Sequence, residues 1–455
     1  MTGLRGSTEE LDRAGQEGRV AAMIAHDAEP LPDIDDPAFG RMFDRFAEAR
    51  IVLLGEASHG TSEFYRARAA ITRRLIEEHG FNIVAVEADW PDAATIDRHV
   101  RHKAARADGE PPFTRFPTWM WRNAEFDAFV RWLRQHNEAL APEARVSFHG
   151  LDLYNLNASI SAVIDYLDKV DPSAAATARQ RYGCLKPWRE DPAIYGRIAL
   201  REGHARCEAG IVATLRDLFA RQQEYAAADG DDFLDAAQNA RLVANAEAYY
   251  RAMYYGSAAS WNLRDEHMFD TLDLLMRSKG PEAKTVVWAH NSHIGDARFT
   301  DMGESRDELN LGQLARENYG EEACLIGFGT HDGTVAAADD WDAPMKIKRI
   351  NPSRADSYER LAHDSGVERF LLDLREGVHD QLRDELMEQR LERFIGVIYR
   401  PDTERWSHYS SASLPAQFDA YVWFDTTNPV TPLPAPAGAK RPEHAEADDT
   451  YPFGL

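Results

Sequence analysis

The sequence is short of cysteine, of lysine and of long apolar runs, and each shortage excludes something. Three cysteines (Cys184, Cys207 and Cys324) in 455 residues are widely spaced, with no C-x-x-C pair. That spacing argues against a disulfide framework and a thiolate metal site, and points to a reducing compartment. No stretch has the length and apolarity of a membrane span. The first 29 residues contain Glu9, Glu10 and Asp12 and no continuous apolar core, unlike a secretory leader. The expectation is a cytoplasmic protein with no membrane partner. Lysine is scarce beside arginine, and 76 acidic residues outweigh 52 basic ones for a net charge of −24. This balance argues against nucleic acid as a partner and against a basic membrane-facing stripe. It does not exclude a locally cationic pocket.

Material for a core is present: 44% of residues are hydrophobic and 10% aromatic. The pattern is organised around Ile51-Val-Leu-Leu54, too short for a helix, which reads as a buried parallel strand. Gly55 ends it, Glu56, Ser58 and His59 follow, and Gly60 leads into Thr61-Ser-Glu, a capping-type start for a helix to about His79. Phe81 to Glu87 repeats the unit, with Asp89-Trp-Pro opening the next helix. Asn123 suits the N-cap of an amphipathic helix to about His136. Val146-Ser-Phe-His-Gly-Leu-Asp152 is a third strand ending in an acid.

From Ala158 to Arg277 the pattern is helical almost throughout. Strand signatures resume at Thr285–Ala289, which His290-Asn-Ser-His293 follows, and at Ala323–Gly329, Phe370–Leu374, Phe394–Tyr399 and Ala420–Phe424. Helical stretches fall between them around 311–319, 354–364 and 379–391. Alternation of this kind predicts an α/β fold: a largely parallel sheet, helices on both faces, and a large helical insertion over the C-terminal edge of the strands. The chain then divides into an N-terminal extension and linker (1–35, with a helix around 15–26), a first part of the core (36–154), the helical insertion (155–275), a second part of the core (276–432) and a disordered tail (433–455).

Ionisable groups repeatedly follow the last apolar residue of a strand: Glu56 and His59, Glu87 and Asp89, Asp152, then His290 and His293. Ligands in open α/β sheets bind beyond the carboxyl ends of the strands. Histidines and carboxylates gathered there are costly unless they pair, bind a metal or perform acid–base work. Asp89 and Asp152 also suit helix caps, and His99 and His102, among Arg98, Arg101 and Lys103, read as a solvated helical face. Ser58 is not in a G-x-S-x-G elbow, and there is no H-E-x-x-H motif or Walker loop. Gly327-Phe-Gly329 lacks the further glycine of a dinucleotide site.

Four of these motifs carry a resemblance: G-E-A-S-H-G at 55–60, V-E-A-D at 86–89, W-N-x-R-D at 261–265 and W-A-H-N-S-H at 288–293. Together with F-P-T-W-M-W-R-N, H-G-L-D-L-Y and E-R-W-S-H-Y-S-S-A, they resemble the erythromycin esterase family from about Ile51 to Pro432. The resemblance implies an α/β core with a helical part over a deep cleft, and ester hydrolysis without a covalent serine intermediate. It places the functional residues on Glu56, His59, Arg68, Glu87, Arg264, His290 and His293. Asp152, Tyr154, Trp119 and Trp121 are candidates to contact the substrate, a small-molecule ester or lactone.

Hydrolysis needs an activated water, oxyanion stabilisation and a proton for the leaving alkoxide. Histidine, with a reference pKa near ~6.5, suits the base if a carboxylate orients it. His59 is the candidate base and Glu56 or Glu87 its orienting acid. Arg68 is placed to fix one of those acids. His290 and His293 are candidates to hold the water or protonate the leaving group, and Arg264 to meet the oxyanion. No cofactor is expected. The alternatives are a zinc- or manganese-dependent hydrolase built on the same Glu/His set, which two nearby arginines oppose, and a non-catalytic small-molecule-binding protein on this fold.

Overall fold

Short runs such as Ile51–Leu54 and Ile83–Val86 are apolar at every position, and Thr285–Trp288 is buried at every position, so each must be covered on both faces. A computed structural model, which describes residues 3–105, 111–188, 192–199, 207–228, 230–254 and 257–434, shows how. Ile51, Leu53, Ile83, Ala85 and Val287 point into one apolar core, and Val52, Leu54, Val84, Val86 and Trp288 into the other. The first core is closed by the long helical region. The second is closed by helices Ser62–His79 and Ala124–Glu138. Each fully buried Leu, Ile, Val or Phe contributes about 1.5–3 kcal/mol, so this two-sided burial is the main force holding the sheet.

The strands are β1 (Glu29–Pro30), β2 (Ile51–Leu54), β3 (Ile83–Asp89), β4 (Ser147–Asp152), β5 (Thr285–Trp288), β6 (Ala323–Ala337), β7 (Lys346–Ile350), β8 (Arg369–Asp373), β9 (Arg390–Arg393), β10 (Tyr409–Ala412) and β11 (Ala420–Thr427). Nine form one sheet in the order β1-β8-β11-β6-β2-β5-β3-β4, with β7 paired to β6. The run from β11 to β4 is parallel, while β8, β1 and β7 are antiparallel additions. This is the largely parallel α/β sheet that the strand–helix alternation predicts. Between β4 and β5 the described elements are all helical, from Leu156–Val170 to Ser257–Lys279. No helix among the described residues is long and apolar enough to cross a membrane.

Several local expectations need correction. The N-terminal helix is longer than expected, Gly3–Asp27, and the stretch read as a linker instead supplies β1, paired with β8. Thr61 does not cap its helix. Its hydroxyl meets Ser58 Oγ, and Glu63 accepts from Asn428 N at 2.8 Å. The apolar segment 394–399 is not a strand but makes isolated bridges, such as Ser58 with Ile395. The strand there is β9, whose sequence R-L-E-R buries Arg390, Glu392 and Arg393 and therefore reads as polar. Cys184 and Cys207 form a disulfide, with Cα atoms 5.8 Å apart, against the expectation of none. Packing of separate helices joins them, and wide spacing carries no sign of that. Of the expected tail, Leu433 donates to Arg122 O at 2.8 Å, and 435–455 lie outside the described residues.

Candidate active site

Strand order decides which motifs meet. β2, β5, β3 and β4 are consecutive and parallel, so their carboxyl ends lie side by side. The G-E-A-S-H-G turn leaves β2 and the H-N-S-H turn leaves β5, while Glu87 and Asp152 sit at the ends of β3 and β4. Two glycines permit this close approach. A Cβ on Gly55 would stand 2.1 Å from Asn291 Oδ1, and one on Gly60 would stand 2.0 Å from Ala336 O.

In the first turn His59 Nδ1–H donates to Glu56 Oε1 at 2.9 Å, and Arg68 donates to the other carboxylate oxygen at 2.6 Å. Arg68 is fully buried, with its guanidinium over the rings of Tyr65 (4.5 Å) and Trp288 (5.1 Å). Tyr65 in turn donates to His59 O at 3.2 Å. With its Nδ1 proton committed, His59 carries its free lone pair on Nε2, which lies 4.0 Å from Glu87 Oε1.

In the second turn His290 N–H donates to Glu87 Oε2 at 2.8 Å. His290 Nδ1 accepts from Ser292 N at 3.3 Å, which places the ring proton on Nε2. That nitrogen is buried and makes no hydrogen bond of ordinary geometry among the described residues, the Ala57 backbone being the group it approaches. Burial, with His59 beside it (ring centroids 4.8 Å apart), holds the His290 pKa well below the usual histidine range, so the ring is neutral.

The helix Ser257–Lys279 supplies the rest. Arg264 forks onto Asp152 (Nη2 2.7 Å, Nε 3.1 Å) and reaches Glu87 Oε1 at 2.8 Å, while Tyr154 lies under its guanidinium. Asp265 accepts from His293 Nδ1 at 2.9 Å, and Trp261, one turn earlier on the same helix face, stacks on His293 at 4.7 Å. His293 Nε2 lies 3.3 Å from Glu87 Oε1 and 2.9 Å from Arg264 Nη1. Burial pushes the His293 pKa down, but Asp265 and Glu87 outweigh it and raise the value to about 9. Three carboxylates (Glu87, Asp152 and Asp265) thus hold two cations. The 2.9 Å approach of Arg264 Nη1 to Nε2 is a hydrogen bond only to a neutral ring; on the protonated ring, which the acids on either side favour, it becomes a like-charge contact that must lengthen. Burial raises the Glu87 pKa, yet the charge and hydrogen bond of His293, with Arg264 beside it, hold it well below the carboxylate range.

Apart from Trp119, the sequence candidates are therefore linked to one another at one edge of the sheet, but in different circumstances. Arg264 is engaged with Asp152 and Glu87 rather than facing outward, and Asp152 is correspondingly occupied. Trp121 Nε1 donates to Glu87 O at 3.2 Å, and Trp119 is buried against Phe116. Asp89 caps nothing on its own helix; it accepts from Asn155 N at 2.9 Å, and burial raises its pKa to about 7, with Arg115 opposing. Asp265 is a further member of the site; its signal is the W-N-x-R-D motif itself, in which it directly follows the arginine. Among the described residues no three His, Cys, Asp or Glu side chains are disposed to hold a metal ion. The two acids of the Glu/His set, Glu56 and Glu87, already face the guanidinium groups of Arg68 and Arg264.

The fold and these groups define an α/β protein with a buried histidine–carboxylate–arginine site at the carboxyl ends of its parallel strands. More particularly, the chain belongs to the erythromycin esterase family, whose model matches residues 76–427. The match takes in Glu87, Asp152, Arg264, His290 and His293 and begins after Glu56 and His59. The chain is 25% identical over 364 residues to erythromycin esterase type I of Escherichia coli, covering 72% of this chain and 82% of that one. It is 22% identical over 320 residues to the type II enzyme of Escherichia coli, covering 67% and 75%. Its fold is shared with a succinoglycan biosynthesis protein (TM-score 0.73, 21% identity, 91% of this chain and 98% of that one). It is shared too with a mutant of erythromycin esterase EreC in its open conformation (TM-score 0.64, 18% identity, 88% and 98%). Family membership supports a hydrolase.

Proposed function

We propose that the chain hydrolyses a carboxylic ester or macrolactone by general-base activation of water, without a covalent serine intermediate. The observation that carries this reading is the Arg68–Glu56–His59 chain, in which a buried, arginine-held carboxylate fixes the tautomer that leaves His59 Nε2 as acceptor. His59 takes a proton from water as the oxygen adds to the ester carbonyl. Glu87, across from Nε2, orients that water. The Nε2–H of neutral His290 meets the oxyanion, and the proton on His59 passes to the departing alkoxide as the acyl C–O bond breaks. Arg264 and His293 keep Glu87 ionised and in place, so their positive charge acts through it. A buried guanidinium at Glu87 and Asp152 fills the role a dication would take, and we infer that no tightly bound metal is needed.

The test is a panel of esters and lactones, macrolactones first because two curated relatives are named erythromycin esterases, read by mass spectrometry for addition of water. Wild-type protein should turn over at least one, and keep doing so in chelator with less than stoichiometric metal. Loss of activity on chelation and its return with one added divalent ion would overturn the metal-free reading.

A further inference from the structure

Behind the two turns lies a second buried carboxylate that the reaction does not use. Asn291 is the starting point. Its backbone N–H donates to Glu56 O at 2.9 Å. Its side-chain amide pairs with both peptide groups of Phe328: Nδ2 to Phe328 O at 2.7 Å, and Phe328 N to Oδ1 at 3.2 Å. β2 stops bonding to β6 at Gly55 N, which donates to Ile326 O at 2.9 Å, so the Asn291 amide continues the ladder one step further. Glu392 stands behind it. Its Oε1 lies 3.4 Å from Asn291 Nδ2, and its Oε2 accepts from Gln417 Nε2 at 2.7 Å. Gln417 O in turn accepts from Asp296 N at 3.2 Å, just past the H-N-S-H turn. The residues after Glu392 reach both turns: Phe394 lies against the His290 ring at 6.0 Å, Ile395 N donates to Ala57 O at 2.8 Å, and His59 N donates to Ile395 O at 3.2 Å.

We propose that Glu392 is a positioning residue, whose carboxyl group brackets Asn291 and Gln417 and so sets the His290–His293 turn against the Glu56–His59 turn. Its side chain is fully buried. The nearest arginines of its own strand are committed elsewhere: Arg393 to Glu404 and to the carbonyls of Asn351, Thr330 and His331, and Arg390 to Glu388 and Glu17. From the packed helix Tyr358–Asp364, Glu359 faces it as a second buried acid, and the hydroxyls of Tyr358 and Tyr421 share its field. Burial and then Glu359 push the Glu392 pKa up to about 8, against the hydrogen bonds from Gln417 and Asn291. A carboxyl raised in this way keeps its proton to higher pH than an exposed one, and glutamine imitates the protonated form in size and polarity.

Only the turnover readout rests on the hydrolase reading; the other two do not. Wild type, E392Q and E392A are compared by melting temperature across pH, by ring-nitrogen NMR of His290 and His293, and by kcat and KM. A carboxyl with a raised pKa in the folded state stabilises most fully at low pH and loses that contribution as pH rises to its folded pKa. E392Q should therefore gain on wild type as pH climbs from 4.5 through about 8, and level off above. Ring resonances should be unchanged in E392Q and displaced in E392A. E392A should lose up to about 10²-fold in kcat with KM held, and E392Q should restore it. A melting difference between E392Q and wild type that ignores pH, or wild-type ring resonances in E392A, would overturn the proposal. The pH series needs only E392Q, so it decides even where E392A does not fold. Absence of turnover by wild type would count against the hydrolase reading alone.

Discussion

His59 and His293 each donate Nδ1–H to a buried carboxylate at 2.9 Å, and each turns Nε2 toward Glu87. Around His59 the partner acid is held from behind by Arg68, and Glu87 stays 4.0 Å away. Around His293 everything is closed: Trp261 covers one face, Arg264 and Glu87 crowd Nε2, and the acids hold a proton on the ring. At His59 the second nitrogen faces Glu87 across 4.0 Å, and at His293 it is enclosed by Glu87 and Arg264; on the proposed reading this difference, rather than the partner acid, leaves His59 as the base.

The largest expected effect comes from removing the less enclosed histidine. His59→Asn should fold and lose ~10²–10⁴ in kcat, and a folded variant keeping most of its turnover would end the distinction between the two histidines. Next is Arg264→Met, which leaves Glu87 and Asp152 buried without their cation. It should destabilise by about 3–5 kcal/mol in denaturant unfolding, whereas a surface-like cost below ~1 kcal/mol would mean the enclosed side is not an ion cage. Third is pH. The His293 pKa rises from 6.5 in the unfolded chain to about 9 in the fold, so its stabilisation is complete below 6.5 and lost as pH climbs through about 9. Wild type should lose melting temperature across that window relative to His293→Gln; parallel curves would place a neutral ring there. The smallest effect is the stack of Trp261 on His293, worth about 0.5–1.5 kcal/mol beyond the area it buries and read as the difference between Trp261→Leu and Trp261→Phe, both of which lose the 2.7 Å bond to Leu309 O.

Much was legible in the residues. Strands apolar at every position announce a parallel sheet covered on both faces, and Asn123 caps its helix through Phe126 N at 2.7 Å as its side chain suggests. Glu56 and His59 lie in one turn, so their pairing needs little beyond local geometry. Other features were not legible. β9 carries charge where a buried strand ordinarily carries hydrocarbon, because Arg393 and Glu392 are satisfied by groups far away in the chain. The capping pattern at Thr61 gives way because Asn428 arrives to take Glu63.

By itself, then, the sequence determined the class of fold, through the period and burial of its strands, and which chemical groups stand at strand ends. Only the tertiary structure decided their roles. It placed β5 between β2 and β3, brought the last helix before β5 to lay Arg264 across Glu87 and Asp152, and joined Cys184 to Cys207. The physical reason is that protonation and reactivity depend on which charges and dipoles surround a group after water is removed. Those neighbours come from segments up to a few hundred residues apart, beyond the reach of any local pattern.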